Sequence, residues 1–401
     1  MTSRERVRAV LEHRLPDRIP NGLGGCETAG MHIVSYDRLQ RIMGCADTPV
    51  RLDTFMTNAV FEEKLINAMD GDIILLDSPR MCASRLRNGD PSEWKEEILF
   101  GKRFSVPKSE IFVTKSDGTV VWESKGGAIC PKGGYYFDHA EATNLTAELY
   151  IPDPDKYSPP SSLPEKILRH LEETAKRIYE ESGLSICLGE TVHDLQVAPG
   201  GSVNTMLLML EEPDVMHEML EKSTAAGISQ LKELDQAVGK YVDILSIAHD
   251  FGDNRGVTIG DELWRSIYKP HYKKFFGAWK KTTSMKINLH SCGAVSTILE
   301  DLIECGVDIF NPVQTSACGM SPKALKERFG DRIIFFGGAY DAQLLPHTLS
   351  YDEVFSAVSN NLKIFGNGGG YFFAGVHNLP ADMPEHHIKA MMDAYFANRS
   401  Y

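Results

Sequence analysis

The stretch Met285-Lys286-Ile287-Asn288-Leu289-His290-Ser291-Cys292-Gly293 reads as a buried strand that ends in two reactive side chains. Strand side chains alternate between faces, so His290 and Cys292, two residues apart, point to the same side. An imidazole and a thiolate placed this way can converge on one metal ion with little backbone strain. A mixed nitrogen and sulfur set suits zinc better than magnesium or calcium. A second apolar run, 370–376, closes in the same way on His377.

Six further runs have the same character: 18–25, 72–77, 185–190, 242–250, 307–314 and 332–338. Ile73-Ile74-Leu75-Leu76 and Ile333-Ile334-Phe335-Phe336 are continuously apolar, as strands covered on both faces require. Amphipathic stretches at 165–181, 213–237, 263–281, 321–328 and 351–365 separate them. Repeated strand–helix alternation predicts an α/β chain folded as a (β/α)8 TIM barrel, one domain spanning 1–401. Around 99–150 the repeat is interrupted. Phe112-Val113-Thr114-Lys115 and Thr119-Val120-Val121-Trp122 flank Asp117-Gly118, a hairpin pattern inserted after the second predicted strand. The Pro/Ser-rich stretch 151–164 reads as the linker back.

The 401 residues carry 55 acidic against 42 basic side chains, a net charge of −13. That balance excludes a nucleic-acid backbone or an anionic membrane as the natural partner. No apolar run reaches spanning length, and residues 1–6 have no secretory character. The eight cysteines are scattered without a pairing pattern, which predicts free thiols in a reducing cytoplasm.

In a barrel of this kind, chemistry sits at the carboxyl ends of the strands. Those ends carry Cys26 with Glu27, Asp77, Glu190 with His193, His249 with Asp250, His290 with Cys292, Gln314, Asp341 with Gln343, and His377. His290, Cys292 and His377 are the candidate metal ligands. Asp77, Glu190 and Asp250 are the candidate catalytic carboxylates. Each has a structural reading as well. Asp77 could satisfy strand-end amides, Glu190 could pair with an arginine or serve as a fourth ligand, and Asp250 heads an Asp-Phe-Gly-Asp-Asn turn. Cys26 and Cys82 read as small apolar fillers, and Cys318 is a reserve third ligand. The glycines at 366–370 precede a strand, so they are not placed as a phosphate cradle.

The opening Arg4-Glu5-Arg6-Val7-Arg8-Ala9-Val10-Leu11 with Pro16-Asp17-Arg18-Ile19-Pro20 resembles the start of uroporphyrinogen decarboxylase-like proteins. Asn311-Pro312-Val313-Gln314, Gly337-Gly338-Ala339-Tyr340-Asp341-Ala342-Gln343 and Val376-His377-Asn378-Leu379-Pro380-Ala381-Asp382-Met383-Pro384 resemble that family's later blocks. The resemblance implies a (β/α)8 barrel. Within the same superfamily, the cobamide-dependent methyltransferases hold zinc through a His-x-Cys pair and a later cysteine. His290 and Cys292 match the pair, and His377 falls where the later cysteine stands. In the decarboxylases that block carries a substrate-contacting histidine, so the resemblance allows His377 to bind either zinc or substrate. Asp77 matches the decarboxylases' catalytic aspartate. Their arginine-rich block after the first strand is missing: Asn21-Gly22-Leu23-Gly24-Gly25-Cys26-Glu27-Thr28-Ala29-Gly30 has no cation, although a polycarboxylate ligand needs several.

The resemblance therefore implies a zinc-dependent methyltransferase. It would move a methyl group between a small donor, such as a methoxylated aromatic, and a corrinoid carried by a partner protein. A variant runs from methylcorrinoid to a thiol or pterin. The alternative is a metal-free decarboxylase of a smaller, less acidic substrate using Asp77 and His377. A third possibility is a barrel that only binds a metabolite or a corrinoid protein.

Overall fold

Seven of the eight predicted runs pair side by side in a parallel sheet in the computed structural model, which describes residues 1–47, 49–54, 56–76, 91–138 and 149–401. In chain order they are β1 (Ile73–Leu76), β2 (Ser185–Leu188), β3 (Ile244–Ala248), β4 (Lys286–His290), β5 (Ile309–Asn311), β6 (Ile334–Phe336) and β7 (Tyr371–Phe372). Each strand neighbours the next in sequence, and every pair is parallel. Helices fill the connections, as parallel neighbours require. The result is an α/β fold with a curled parallel sheet, consistent with a TIM-barrel-like architecture. All seven carboxyl ends therefore open on one face.

The run 18–25, expected as a full strand, is not one. It touches the sheet at a single point, where Asn21 forms parallel bridges to Gly71, just before β1, and to Phe373, just after β7. The Asp72 amide donates to the Asn21 carbonyl at 2.8 Å, and the Gly22 amide to the Phe373 carbonyl at 2.8 Å. One short segment thus reaches both edges of the seven-stranded sheet. Pro20 has no amide to donate, and the glycines that follow have low strand propensity. Gly22 is required by close approach, because a Cβ there would stand 2.5 Å from the Phe336 ring. Asp72, fully buried, anchors the segment. It accepts from Arg6 Nη1 and Arg18 Nη1 at 2.7 Å each and from the Asn21 amide at 2.8 Å. A buried carboxylate needs that many partners.

Helices Glu165–Glu181, Pro213–Val238, Pro322–Phe329 and Tyr351–Gly366 lie where the apolar periodicity puts them. The stretch expected as one helix at 263–281 is two, Asp261–Ile267 and Lys269–Thr282. Pro270 explains the break, since it is tolerated only in a helix's first turn. The second helix buries Tyr272, Phe275, Phe276 and Trp279 in the main apolar core. Each such side chain contributes about 1.5–3 kcal/mol of apolar burial.

Between β1 and β2 in the chain, Trp94–Leu99 pairs antiparallel with Lys102–Pro107. Phe112–Thr114, Val120–Trp122 and Ala128–Cys130 form a three-stranded antiparallel sheet. Phe112 faces Trp122 across the Asp117-Gly118 turn, where Gly118 has φ +89°. No helix among the described residues is long and apolar enough to cross a membrane.

Candidate metal centre

His290 is the last residue of β4, paired in register with Ala248 of β3 and Asn311 of β5. Its Nδ1 lies 2.9 Å from the Asn311 Oδ1. The amide orientation is set independently, because Asn311 Nδ2 donates to the Phe336 carbonyl at 3.1 Å and the Thr28 hydroxyl donates to Oδ1 at 2.6 Å. Nδ1 therefore carries a proton and donates it, which turns Nε2 toward Cys292, whose Sγ lies 3.5 Å away. A ring held at Nδ1 by a carbonyl-type oxygen is the usual support of a metal-ligating histidine.

Cys292 sits two residues beyond the strand end, held by its own backbone. Its amide donates to Asp250 Oδ1 at 2.8 Å, and the Gly293 amide donates to Gln314 Oε1 at 2.8 Å. Gly293 has φ +90°, and a Cβ there would stand 2.3 Å from the backbone carbon of Gly252. Only glycine meets both constraints. From the far side, His377 brings its ring to 5.3 Å from that of His290, centroid to centroid, nearly perpendicular. One ligand atom from each of His290, Cys292 and His377 lies within 4.8 Å of the others. Ligands sharing a tetrahedral zinc stand roughly 3.3–3.8 Å apart, so a small contraction closes the set.

The electrostatics suit a cation. Burial opposes charge on His290, yet Asp250, 3.5 Å from Nε2, and Cys292 overcome it and push the ring's pKa up to about 10. Burial likewise opposes charge on Asp250. Its bonds to His290 and the Cys292 amide nevertheless hold it well below the usual carboxylate range. His377 goes the other way, down to about 4, through burial and the neighbouring charge of His290. The Asn378 amide donates to His377 Nδ1 at 2.8 Å, so the neutral ring carries its proton on Nε2. His377 can ligate through Nε2 once its proton moves to Nδ1 and the Asn378 bond there gives way. As it stands, it offers an N–H to a substrate.

The carboxylates predicted from strand ends divide. Asp250 joins the cluster. Glu190, two residues past β2 and buried, lies outside the three-residue donor group. Its Oε1 accepts from Gln196 Nε2 at 3.2 Å and its amide donates to Glu27 Oε1 at 2.7 Å. Asp77 and Cys82 lie outside the described residues. Cys26 is buried, and burial pushes its thiol up to about 12. Cys318 is exposed, with its amide on the Asn254 carbonyl, and is not part of the donor group. Asp341 accepts from the Thr315 hydroxyl and the Ser316 amide and so shapes a loop. Sequence reasoning overlooked Asn311 and Thr28 as supports of the site. The available signal was a polar residue ending β5 beside the histidine of β4.

Residues 198–397 match the family model described as uroporphyrinogen decarboxylase (URO-D). The uroporphyrinogen decarboxylase of Methylococcus capsulatus is 24% identical over 196 residues, covering 47% of this chain and 50% of that enzyme. The chain thus spans about half the length of the curated relative it matches. A methyltransferase from Methanosarcina mazei superposes over 99% of both chains with a TM-score of 0.55 and 17% identity, a likeness of fold.

Proposed function

We propose that this chain, whose residues 198–397 match the uroporphyrinogen decarboxylase family model, uses its fold as a zinc-dependent methyltransferase working with a corrinoid-bearing partner protein. The observation that carries the reading is the convergence of His290, Cys292 and His377 at the carboxyl ends of the strands. It is supported by the absence of any cation in 21–30, which disfavours a polycarboxylate substrate.

Zinc, when bound, supplies a Lewis acid that lowers the charge on a leaving oxygen. His290 and Cys292 would hold it, and His377 either completes the set or hydrogen-bonds the donor. Asn311 and Thr28 keep the His290 ring turned inward, and Asp250 fixes the Cys292 backbone. A corrinoid presented by the partner would supply the nucleophile that takes the methyl group, and the oxygen released when the carbon–oxygen bond breaks would need a proton from a residue of this chain. Glu190 is the carboxyl group we assign to that proton, with Asp250 as its neighbour across the strand ends. Asp77 is a further candidate. We read residues 1–401 as one barrel domain acting in the reducing cytoplasm.

The test is a spectroscopic one. Incubation with methoxylated aromatics, methanol or methylamines and a reduced corrinoid protein should convert the corrinoid spectrum to its methylated form. No conversion with any donor, together with carbon dioxide release from a carboxylated substrate, would replace this reading with a decarboxylase.

A further inference from the structure

The loop that carries Cys292 is tied to three neighbouring loops by a line of neutral side-chain amides. The line begins at the Gly293 amide, which donates to Gln314 Oε1 at 2.8 Å. Gln314 is buried, three residues beyond β5, and its Nε2 donates to Asn254 Oδ1 at 2.5 Å. Asn254 lies in the loop after β3, and its Nδ2 donates to Gln343 Oε1, in the loop after β6, at 3.4 Å. The Asn254 carbonyl also takes the Cys318 amide at 2.9 Å, so this one residue gathers the loops after β3, β5 and β6. Its own turn is set by Asp253. The Asp253 carboxylate accepts from the Arg255 and Gly256 amides at 2.7 and 3.1 Å, and the Asp253 carbonyl accepts from the Ala294 amide at 2.7 Å.

We propose that Gln314 and Asn254 are positioning residues for the metal centre, a relay that fixes the place of the Cys292 sulfur through the backbone of Gly293. What Cys292 does in that place rests on the metal-dependent function proposed above, whereas the lock on its loop stands on these bonds alone. An amide side chain has one donor end and one acceptor end, so the polarity of the line is settled at its first bond. A backbone N–H can only donate, which turns Gln314 Oε1 toward Gly293 and leaves Nε2 in need of an acceptor. Asn254 must then present Oδ1, and its Nδ2 in turn faces Gln343 Oε1. Turning either amide over would set donor against donor. Neutral amides also add no charge beside the cluster, so they hold the loop without competing with Cys292 for the cation. The 3.4 Å outer bond is the weakest, which concentrates the hold in Gln314 and Asn254. Asn254 is exposed and Gln314 buried, so the line runs from solvent to the metal loop. Groups that support a ligand in this way tune metal affinity although they never touch the ion.

The test is titration of the full chain with cobalt(II), followed by its sulfur-to-cobalt absorption band, together with hydrogen exchange at the Gly293 amide. Wild-type protein should show the band and a protected amide. Asn254→Leu, a change at an exposed position, should lower cobalt affinity roughly tenfold or more and speed Gly293 exchange by a similar factor. Asn254→Asp keeps the acceptor for Gln314 and should stay within about threefold of wild type on both counts. Gln314→Met should behave as Asn254→Leu does, and Asn254→Leu carries the test alone should Gln314→Met melt early. The two changes together should be no worse than either one, because both break the same line. Adding Asn311→Ala, which acts on His290 instead, should multiply the loss. Earlier melting with affinity, band and exchange unchanged would make the pair a structural brace and overturn the relay. So would independent, multiplying effects of Gln314→Met and Asn254→Leu. If wild-type protein shows no cobalt band while Gly293 exchange still depends on Asn254, the function proposed above falls and the relay stands.

Discussion

His290 is gripped at both ring nitrogens, by Asn311 at Nδ1 and by the Cys292–Asp250 side at Nε2. Two substitutions separate the ligand from its support. Cys292→Ala removes a half-exposed sulfur at the carboxyl ends of the strands and nothing from the core. It should take zinc from about one per chain to near zero and cost less than about 1 kcal/mol of stability. Full zinc retention by that variant would remove the central claim. Asn311→Ala leaves every ligand in place but frees the His290 ring. Metal titration should show affinity lowered roughly 10- to 100-fold, as for other second-layer partners. Unchanged affinity there would mean that the Asn311 bond is incidental. Glu190→Gln keeps size and removes charge. We expect near-normal melting and zinc content with most of the turnover lost. An early-melting variant whose folded fraction turns over normally would make Glu190 structural.

At the scale of elements, the strand that carries the site was legible because two signals coincide in it. Met285 to Leu289 is an apolar run, and the residues that follow are reactive. β1 and β6 were legible through short unbroken aliphatic and aromatic runs, as strands buried on both faces require. The segment 18–25 was overread, because its pairing is confined to Asn21 and depends on tertiary contacts that no local pattern announces. The placement of Lys125 and Trp122 beside His377 was invisible for a related reason. They line one cavity with His377, more than 200 positions away in the chain, only because the antiparallel segment between β1 and β2 comes back to the strand ends. The loop after β4 offers a direct test of how tightly elements set the site. At Gly293 a side chain meets positive φ and the backbone of Gly252 together. Gly293→Ala should destabilise by about 1–3 kcal/mol and shift Cys292 enough to lose metal. Wild-type zinc content and melting in that variant would show that the two loops are free to part.

Across the whole molecule, the antiparallel segment is tied to the strand ends partly through one neutral histidine, and that makes its attachment sensitive to acid. His32 caps the helix Ile33–Ile42, with Nδ1 accepting from the Val34 amide at 3.2 Å, so its Nε2–H donates to the Tyr135 carbonyl at 2.9 Å. The ring is buried and packs against Phe100 and Tyr136. Burial pushes its pKa down to about 4. The Tyr135 carbonyl and Asp382 work against that shift, and Arg38 works with it. The unfolded chain protonates this histidine near its ordinary value of about 6.5 and the folded chain does not, so stability falls as pH drops through that window. The loss should reach about 2 kcal/mol at pH 5 and about 3 kcal/mol by pH 4, with none above pH 7. Other groups titrate over the same range, and the contribution of His32 is isolated by difference. Urea unfolding of wild type and His32→Gln at pH 7.5 and pH 5 should show the variant losing about 2 kcal/mol less between the two. If both lose the same amount, His32 is protonated in the folded protein without penalty, and the acid sensitivity of the segment lies elsewhere.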